Sequence, residues 1–363
     1  MSIEEFLAEW HNDSPTVLVH TSGSTGQPKP MLVEKRRMEA SARMTCSFLG
    51  LKPDDTALLC MSLDYIAGKM MVVRALTCGL RLLSVPPSGH PLAEITQRFA
   101  RPHSIACHTP SFRWENLQVG EPPCCVIFSA MVPLQVYNSL QVPEERERLK
   151  NIRHLIIGGG AIDPELESAL ADFPNHVWST YGMTETLSHI ALRRLNGPDR
   201  SDWYTPFDGV RLSLTVDGCL VIDAPAVHDG PLVTNDIAEL RPPLQSERAG
   251  GVAFRILGRK DNVICSGGIK IQIEEVERLL QAHVHVPFLI TKVPDVKLGE
   301  QVVMLTESSD VAALQAVCRS VLPKYWLPRH ILTVSRLPMT PNGKPARHEA
   351  QLLAASFFAV IIK

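Results

Sequence analysis

Short β-branched and apolar runs alternate with helical patterns through the first two-thirds of the chain. Val17–Val19, Ala57–Met61, Ser104–Cys107, Cys125–Phe128, Leu155–Ile157 and Val177–Ser179 read as strands. Lys35–Phe48, Lys69–Cys78, Val132–Leu140 and Pro164–Ala171 read as helices. That alternation predicts an α/β fold. The pattern then changes. Val210–Val216, Cys219–Ile222, Leu232–Thr234 and Val252–Ile256 read as antiparallel strands joined by turns such as Asp217-Gly218, with Arg241–Gly251 as a loop. From Asp261 a second α/β pattern begins: strands at Asn262–Ile264, Lys270–Ile273, Phe288–Val293 and Gln301–Leu305, and helices at Glu274–Ala282 and Ala312–Val321. The expected organisation is a large N-terminal α/β domain with an antiparallel β portion, residues 1–260, and a small mobile C-terminal α/β domain, residues 261–363.

At 363 residues the chain is long enough for two such domains. A hydrophobic share of 45% and a charged share of 20% fit an ordinary globular protein. The net charge of −2 gives no electrostatic case for nucleic acid. Nine cysteines in no disulfide-like pattern fit reduced thiols, and the N-terminus has no signal-peptide pattern, so a cytoplasmic location is expected. The apolar run Leu352–Ile362 is too short to span a bilayer, so no stable membrane insertion is expected. It reads as a terminal helix or strand packed on the core. Oligomeric state is left open.

Candidate chemistry concentrates in residues 20–30, His-Thr-Ser-Gly-Ser-Thr-Gly-Gln-Pro-Lys-Pro, between two apolar runs. Gly23 and Gly26 permit close approach of backbone to a ligand. Thr21, Ser22, Ser24 and Thr25 add hydroxyl donors, and Lys29 adds a point charge suited to phosphate. No Gly-Lys-Ser/Thr ending follows, so this is not the common P-loop.

This loop resembles the phosphate-binding signature of the acyl-adenylate-forming superfamily, which holds acyl- and aryl-CoA synthetases, peptide-synthetase adenylation domains and luciferases. Pro30 stands where that pattern has glycine and removes one backbone donor. The resemblance continues in order along nearly the whole chain. Leu155–Leu166, with Gly158, Gly159 and Gly160, is similar to the glycine-rich substrate strand and loop. Tyr181-Gly182-Met183-Thr184-Glu185-Thr186 is similar to the adenine and metal motif. Thr234-Asn235-Asp236 resembles the ribose motif, with Asn235 in place of glycine. Gly258–Glu277 resembles the hinge and the start of the small domain, and Pro341-Asn342-Gly343-Lys344 the C-terminal catalytic loop. The first motif lies near the start, so a family-typical N-terminal subdomain is expected to be largely absent.

The resemblance implies a two-step enzyme with ATP, Mg²⁺ and coenzyme A. A carboxylate attacks the α-phosphorus to give acyl-AMP, and a thiol then displaces AMP. Lys344 bridges the attacking carboxylate and the phosphate, Thr184 donates to the α-phosphate, and Glu185 is the metal ligand. Tyr181 and Gly182 meet adenine, Asp236 and Arg259 the ribose. Asp261 is the hinge, and Gly267 and Gly268 line the passage for coenzyme A. Within the superfamily, Tyr65–Met70, Tyr181–Ile190 and the short chain resemble the o-succinylbenzoate–CoA ligases of menaquinone synthesis. That acid carries a second carboxylate, for which Ser188, His189 and Lys69, with Arg74 beside it, are the candidate partners. Another acyl- or aryl-CoA ligase, or a stand-alone enzyme loading a carrier protein, stays open. A non-catalytic nucleotide-binding relative is disfavoured by Lys344 and Glu185.

Overall fold

The computed structural model describes residues 1–20, 30–93, 95, 126–160, 162–242, 252–340 and 345–359. The phosphate-loop residues Thr21–Lys29, the strand expected at Ser104–Cys107 and the lysine loop 341–344 lie outside these.

The chain opens with α1 (Ile3–His11), fixed by a capping box in which Glu5 N donates to Ser2 and Ser2 N donates to Glu5. A ribbon of β1 (Thr16–His20) and β2 (Pro30–Glu34) follows, then α2 (Lys35–Leu49), β3 (Thr56–Leu59), α3 (Ile66–Cys78) and β4 (Arg81–Ser84). Next come β5 (Phe128–Met131), α4 (Pro133–Gln141), α5 (Pro143–Lys150), β6 (His154–Ile157), α6 (Pro164–Leu170), β7 (His176–Met183), β8 (Ser188–Arg194) and β9 (Thr205–Pro206).

The strands after the ribbon form a seven-stranded sheet ordered β4-β3-β5-β6-β7-β8-β9, parallel from β4 to β7 and antiparallel beyond. Its central strands are buried on both faces, which is why they read as unbroken apolar runs. Leu155 and Ile157 face a core with Leu166, Leu170 and Val136, while Ile156 faces the opposite core of α2 and α3. Helix α3 is buried from Gly68 to Ala75, so Lys69 and Arg74 are carried into the interior.

A four-stranded antiparallel sheet follows: β10 (Arg211–Leu214), β11 (Cys219–Asp223), β12 (Leu232–Arg241) and β13 (Ala253–Arg259). After a 3-10 turn, Lys260–Asn262, come β14 (Val263–Ser266), β15 (Ile269–Gln272), α7 (Ile273–Gln281), β16 (Phe288–Asp295), β17 (Gly299–Thr306), α8 (Val311–Val321), β18 (His330–Thr333) and α9 (Arg347–Ala359). These strands form a five-stranded sheet whose alternating residues serve two cores. Ile290 and Met304 pack with α7 and α8, while Leu289, Val303 and Leu305 pack with Ala350 and Ala354 of α9. The apolar run is therefore helical as far as Ala359, and α9 covers the second face of this sheet. No helix among the described residues is long and apolar enough to cross a membrane.

Candidate active site

In an open parallel sheet, ligands meet the carboxyl ends of the strands. The glycine-rich and tyrosine motifs both lie there. Strand β6 ends at Ile157 and runs into Gly158, Gly159 and Gly160, with Gly159 at φ 78°. A Cβ on Gly158 would meet Thr180 Oγ1 at 2.3 Å. Strand β7 runs on through Tyr181, Gly182 and Met183 and turns back directly into β8, with no helix between them. Gly182 fits because a Cβ there would meet Ser188 O at 2.2 Å.

The turn between β7 and β8 is tightly tied. Met183 N donates to Thr186 Oγ1 at 3.0 Å, and Leu187 N donates to Thr184 O at 2.9 Å. Leu187 is left-handed at φ 62°, an uncommon state for a residue with a Cβ. Thr184 is buried and Glu185 exposed. Among the described residues no group of three His, Cys, Asp or Glu side chains is placed to hold a metal ion. A single carboxylate on a strand-end turn suits Mg²⁺, which is commonly bound by one or two carboxylates plus substrate phosphates.

Tyr181 and Asp236 meet. The Tyr181 phenol donates to Asp236 Oδ2 at 2.6 Å, and Arg259 Nη1 donates to Oδ1 at 3.1 Å. Burial, and then the Asp236 carboxylate, push the Tyr181 phenol well above its ordinary range. Its ring stands edge-on to Phe254, with centroids 5.0 Å apart. Asp236 is thus flanked by the two residues expected for adenine and ribose. The sequence carried no signal for Phe254 as the ring that backs Tyr181.

Asp261 is joined to the same cluster. Arg259 Nη2 donates to its carboxylate at 2.9 Å, and Asn235 Nδ2 lies 3.1 Å from both oxygens. The departure at Asn235 therefore has a partner: an amide replaces a missing side chain and grips the expected hinge. Gly267 and Gly268 have φ 58° and 83° and close the β14–β15 hairpin. Two positive φ values are the turn that a two-residue hairpin prefers.

The expected acyl residues separate. Lys69 is buried, donates from Nζ to Leu18 O at 2.6 Å and lies 3.7 Å from Glu9. It pins α3 to β1 and α1, and it is not bonded to Ser188 or His189. Arg74 is. Its Nη2 donates to Ser188 Oγ at 2.9 Å, Ser188 Oγ lies 3.1 Å from His189 Nδ1, and His189 Nε2 lies 3.1 Å from Thr45 Oγ1. Arg74 is 1% exposed, and its Nε has no hydrogen-bond partner among the described residues. Burial pulls its pKa down to about 10, so it stays charged at neutral pH. Burial, then Arg74, hold His189 well below the usual imidazole range. Thr45 went unread in the sequence because it lies on a helix 144 residues from its partner.

A family profile described as AMP-binding enzyme matches residues 4–215, more than half of the chain. The chain belongs to the AMP-binding enzyme family. A 2-succinylbenzoate–CoA ligase of Bacillus cereus is 24% identical over 378 aligned residues, covering 97% of this chain and 72% of that protein. An acyl-CoA synthetase (AMP-forming)/AMP-acid ligase II-like protein from Dyadobacter fermentans is structurally similar, with a TM-score of 0.59 and 30% identity over 95% of this chain and 91% of that one. The o-succinylbenzoate coenzyme A synthetase of Bacillus subtilis, solved with ATP and magnesium ion, shares the fold. Its TM-score is 0.68 at 20% identity, covering 92% of this chain and 69% of that one. The AMP-binding family thus accounts for the strand-end motifs and for the α/β fold that carries them.

Proposed function

We propose that this AMP-binding enzyme is an ATP- and Mg²⁺-dependent CoA ligase whose acid is o-succinylbenzoate. Arg74 is the observation that carries the reading. A guanidinium at 1% exposure, with an unpartnered Nε and no carboxylate bonded to it among the described residues, is a costly arrangement for the protein alone. A substrate anion supplies the missing counter-charge. Simple fatty acids and benzoates have only the carboxylate that reacts. An acid with a second carboxylate at its far end has one to give to Arg74. The names of the curated relatives, 2-succinylbenzoate–CoA ligases, support the same acid.

In this reading the succinyl carboxylate attacks the α-phosphorus, forming an acyl–phosphate bond as pyrophosphate leaves. The thiol of coenzyme A then forms the thioester as AMP leaves. Asp236, flanked by Tyr181 and Arg259, holds the ribose; Gly159, Gly160 and Gly182 let adenine approach the backbone. Thr184 donates to the α-phosphate. Glu185 would hold Mg²⁺, which supplies positive charge to the phosphates. Thr21, Ser22, Gly23, Ser24, Thr25, Gly26 and Lys29 grip the polyphosphate, and Lys344 offsets repulsion between the two reacting anions. Residues 261–363 then turn about Asp261, bringing Gly267 and Gly268 to the coenzyme A passage. The exposed bonds that Asp261 makes to Asn235 and Arg259 are of a kind that exchanges readily with water. We place this reaction in the cytoplasm, the compartment that supplies ATP and coenzyme A.

The test is a panel of carboxylic acids with ATP, measuring pyrophosphate release and CoA-thioester formation separately. o-Succinylbenzoate should be preferred to 4-phenyl-4-oxobutanoate, which lacks only the ring carboxylate. The expected margin is roughly tenfold to a hundredfold in kcat/KM, the worth of a buried charged hydrogen bond. Equal use of the two, or preference for simple benzoates or fatty acids, would exclude this acid.

A further inference from the structure

The cluster behind Arg74 has a direction, and one hydroxyl on α2 sets it. Thr45 Oγ1 donates to Ser41 O at 3.2 Å, one helical turn back. A hydroxyl has one proton. With that proton directed to Ser41 O, which can only accept, Thr45 is an acceptor towards His189 Nε2, 3.1 Å away, and this arrangement puts the ring proton on Nε2. His189 is 7% exposed and neutral, so Nδ1 keeps its lone pair. Ser188, 3.1 Å from Nδ1, then donates its own proton there. Its oxygen is left as the acceptor for Arg74 Nη2. Each bond follows from the one before it. Phe207 packs edge-on to the His189 ring, with centroids 5.5 Å apart and planes at 72°, so the ring plane is held independently of the proton.

The opposite tautomer would undo this order. With the proton on Nδ1, Ser188 would face two donors, Arg74 and His189, and its own proton would turn elsewhere. The lone pair on Nε2 would then face Thr45, whose proton is already committed to Ser41. Without the Thr45 hydroxyl, nothing among these contacts selects one tautomer over the other.

We propose that Thr45 is a positioning residue for recognition of the substrate's second carboxylate: it fixes the His189 tautomer, commits the Ser188 proton to Nδ1 and leaves the Ser188 oxygen to Arg74 alone, so that Arg74 is held through Nη2 with Nε unspent for the ligand. This rests on the reading that an anionic group of the acid meets Arg74. Thr45 itself touches no substrate; it acts through His189 and Ser188.

The test compares Thr45→Val, which keeps the shape and removes the hydroxyl, with Thr45→Ser, which restores it. The first readout needs no substrate. In protein labelled with ¹⁵N-histidine, long-range proton–nitrogen correlation should show His189 protonated at Nε2 in the wild type and in Thr45→Ser. In Thr45→Val it should show a mixed or Nδ1-protonated ring. The second readout is the ratio of kcat/KM for o-succinylbenzoate to that for 4-phenyl-4-oxobutanoate. It should fall about fivefold to tenfold in Thr45→Val, the loss expected of one buried hydrogen bond, mainly through KM for o-succinylbenzoate, and recover in Thr45→Ser. An unchanged tautomer in Thr45→Val, an unchanged ratio, or a Thr45→Ser variant that behaves like Thr45→Val overturns the role of Thr45. A wild-type ratio near one sinks the substrate reading, and the recognition role with it, whatever the tautomer.

Discussion

The Tyr181 phenol donates a 2.6 Å hydrogen bond to Asp236, joining the end of β7 to β12 across a sequence separation of 55 residues. The bond leaves Asp236 with one oxygen on Tyr181 and the other on Arg259. It orients the carboxylate that is expected to meet the ribose. Tyr181→Phe should therefore raise KM for ATP by roughly fivefold to tenfold, less than the loss of a direct bond to a charged group because the phenol acts through Asp236, with a smaller change in kcat. Initial-rate kinetics with ATP varied would check this. A kcat loss with unchanged KM would place Tyr181 in the chemical step instead.

Arg74→Met should have two opposite effects. Removing a buried charge with no carboxylate partner should raise thermal stability by a few degrees, roughly 1 kcal/mol or more. The same change should cost about tenfold to a hundredfold in kcat/KM for o-succinylbenzoate and much less for 4-phenyl-4-oxobutanoate. Thermal melts without ligand and kinetics with both acids would measure the two. A less stable variant would mean that Arg74 is paired within the protein.

Glu185→Gln should shift the Mg²⁺ dependence of pyrophosphate release to higher concentration, because a neutral amide is a poorer ligand for a hard cation. Superimposable Mg²⁺ titrations of wild type and variant would remove Glu185 from the metal site.

Lys344→Ala should abolish acyl-AMP formation by removing the charge between two anions, a loss of several kcal/mol in the transition state. Thioester formation from synthetic acyl-AMP should largely survive. Equal loss in both half-reactions would contradict a lysine that serves only the first.

Stability should fall as the pH drops. His154 is pushed down to about 4, mainly by burial and then by His176, on which it stacks at 5.0 Å. Below about 6.5 the unfolded chain takes up a proton that folded His154 refuses until about pH 4. Folding is therefore weakened progressively across that window. His189 acts in the same direction. His154→Phe, which keeps a stacking ring without a proton site, should flatten the pH dependence of the urea midpoint between pH 6.5 and 4. An unchanged slope would show that His154 does not contribute.

Much of the fold was legible because its signals are local. Strand β6 and helices α2, α4 and α6 fall within a few residues of their expected bounds. Their apolar periods and flanking prolines and glycines act over one or two turns. Helix α1 was missed although Ser2 and Glu5 spell its capping box. Strand β8 was missed because Ser188–Arg194 followed the tyrosine motif and was read as chemistry rather than as a returning strand.

The candidate site divides along the same line. By itself the sequence determined which residue types are present and in what order: the glycines after β6, the Tyr181–Glu185 run, Asp236, Arg259 and Lys344. Their identities and short spacings are properties of the covalent chain. Only the tertiary structure decided which of two cations on one helix meets Ser188 and His189. Lys69 and Arg74 are five residues apart, yet Lys69 is bound to Leu18 O and Arg74 to Ser188. It also decided that Asn235 grips Asp261 and that Thr45 reaches His189. These pairings depend on where distant elements pack, and burial then sets how strongly each charge and proton is held.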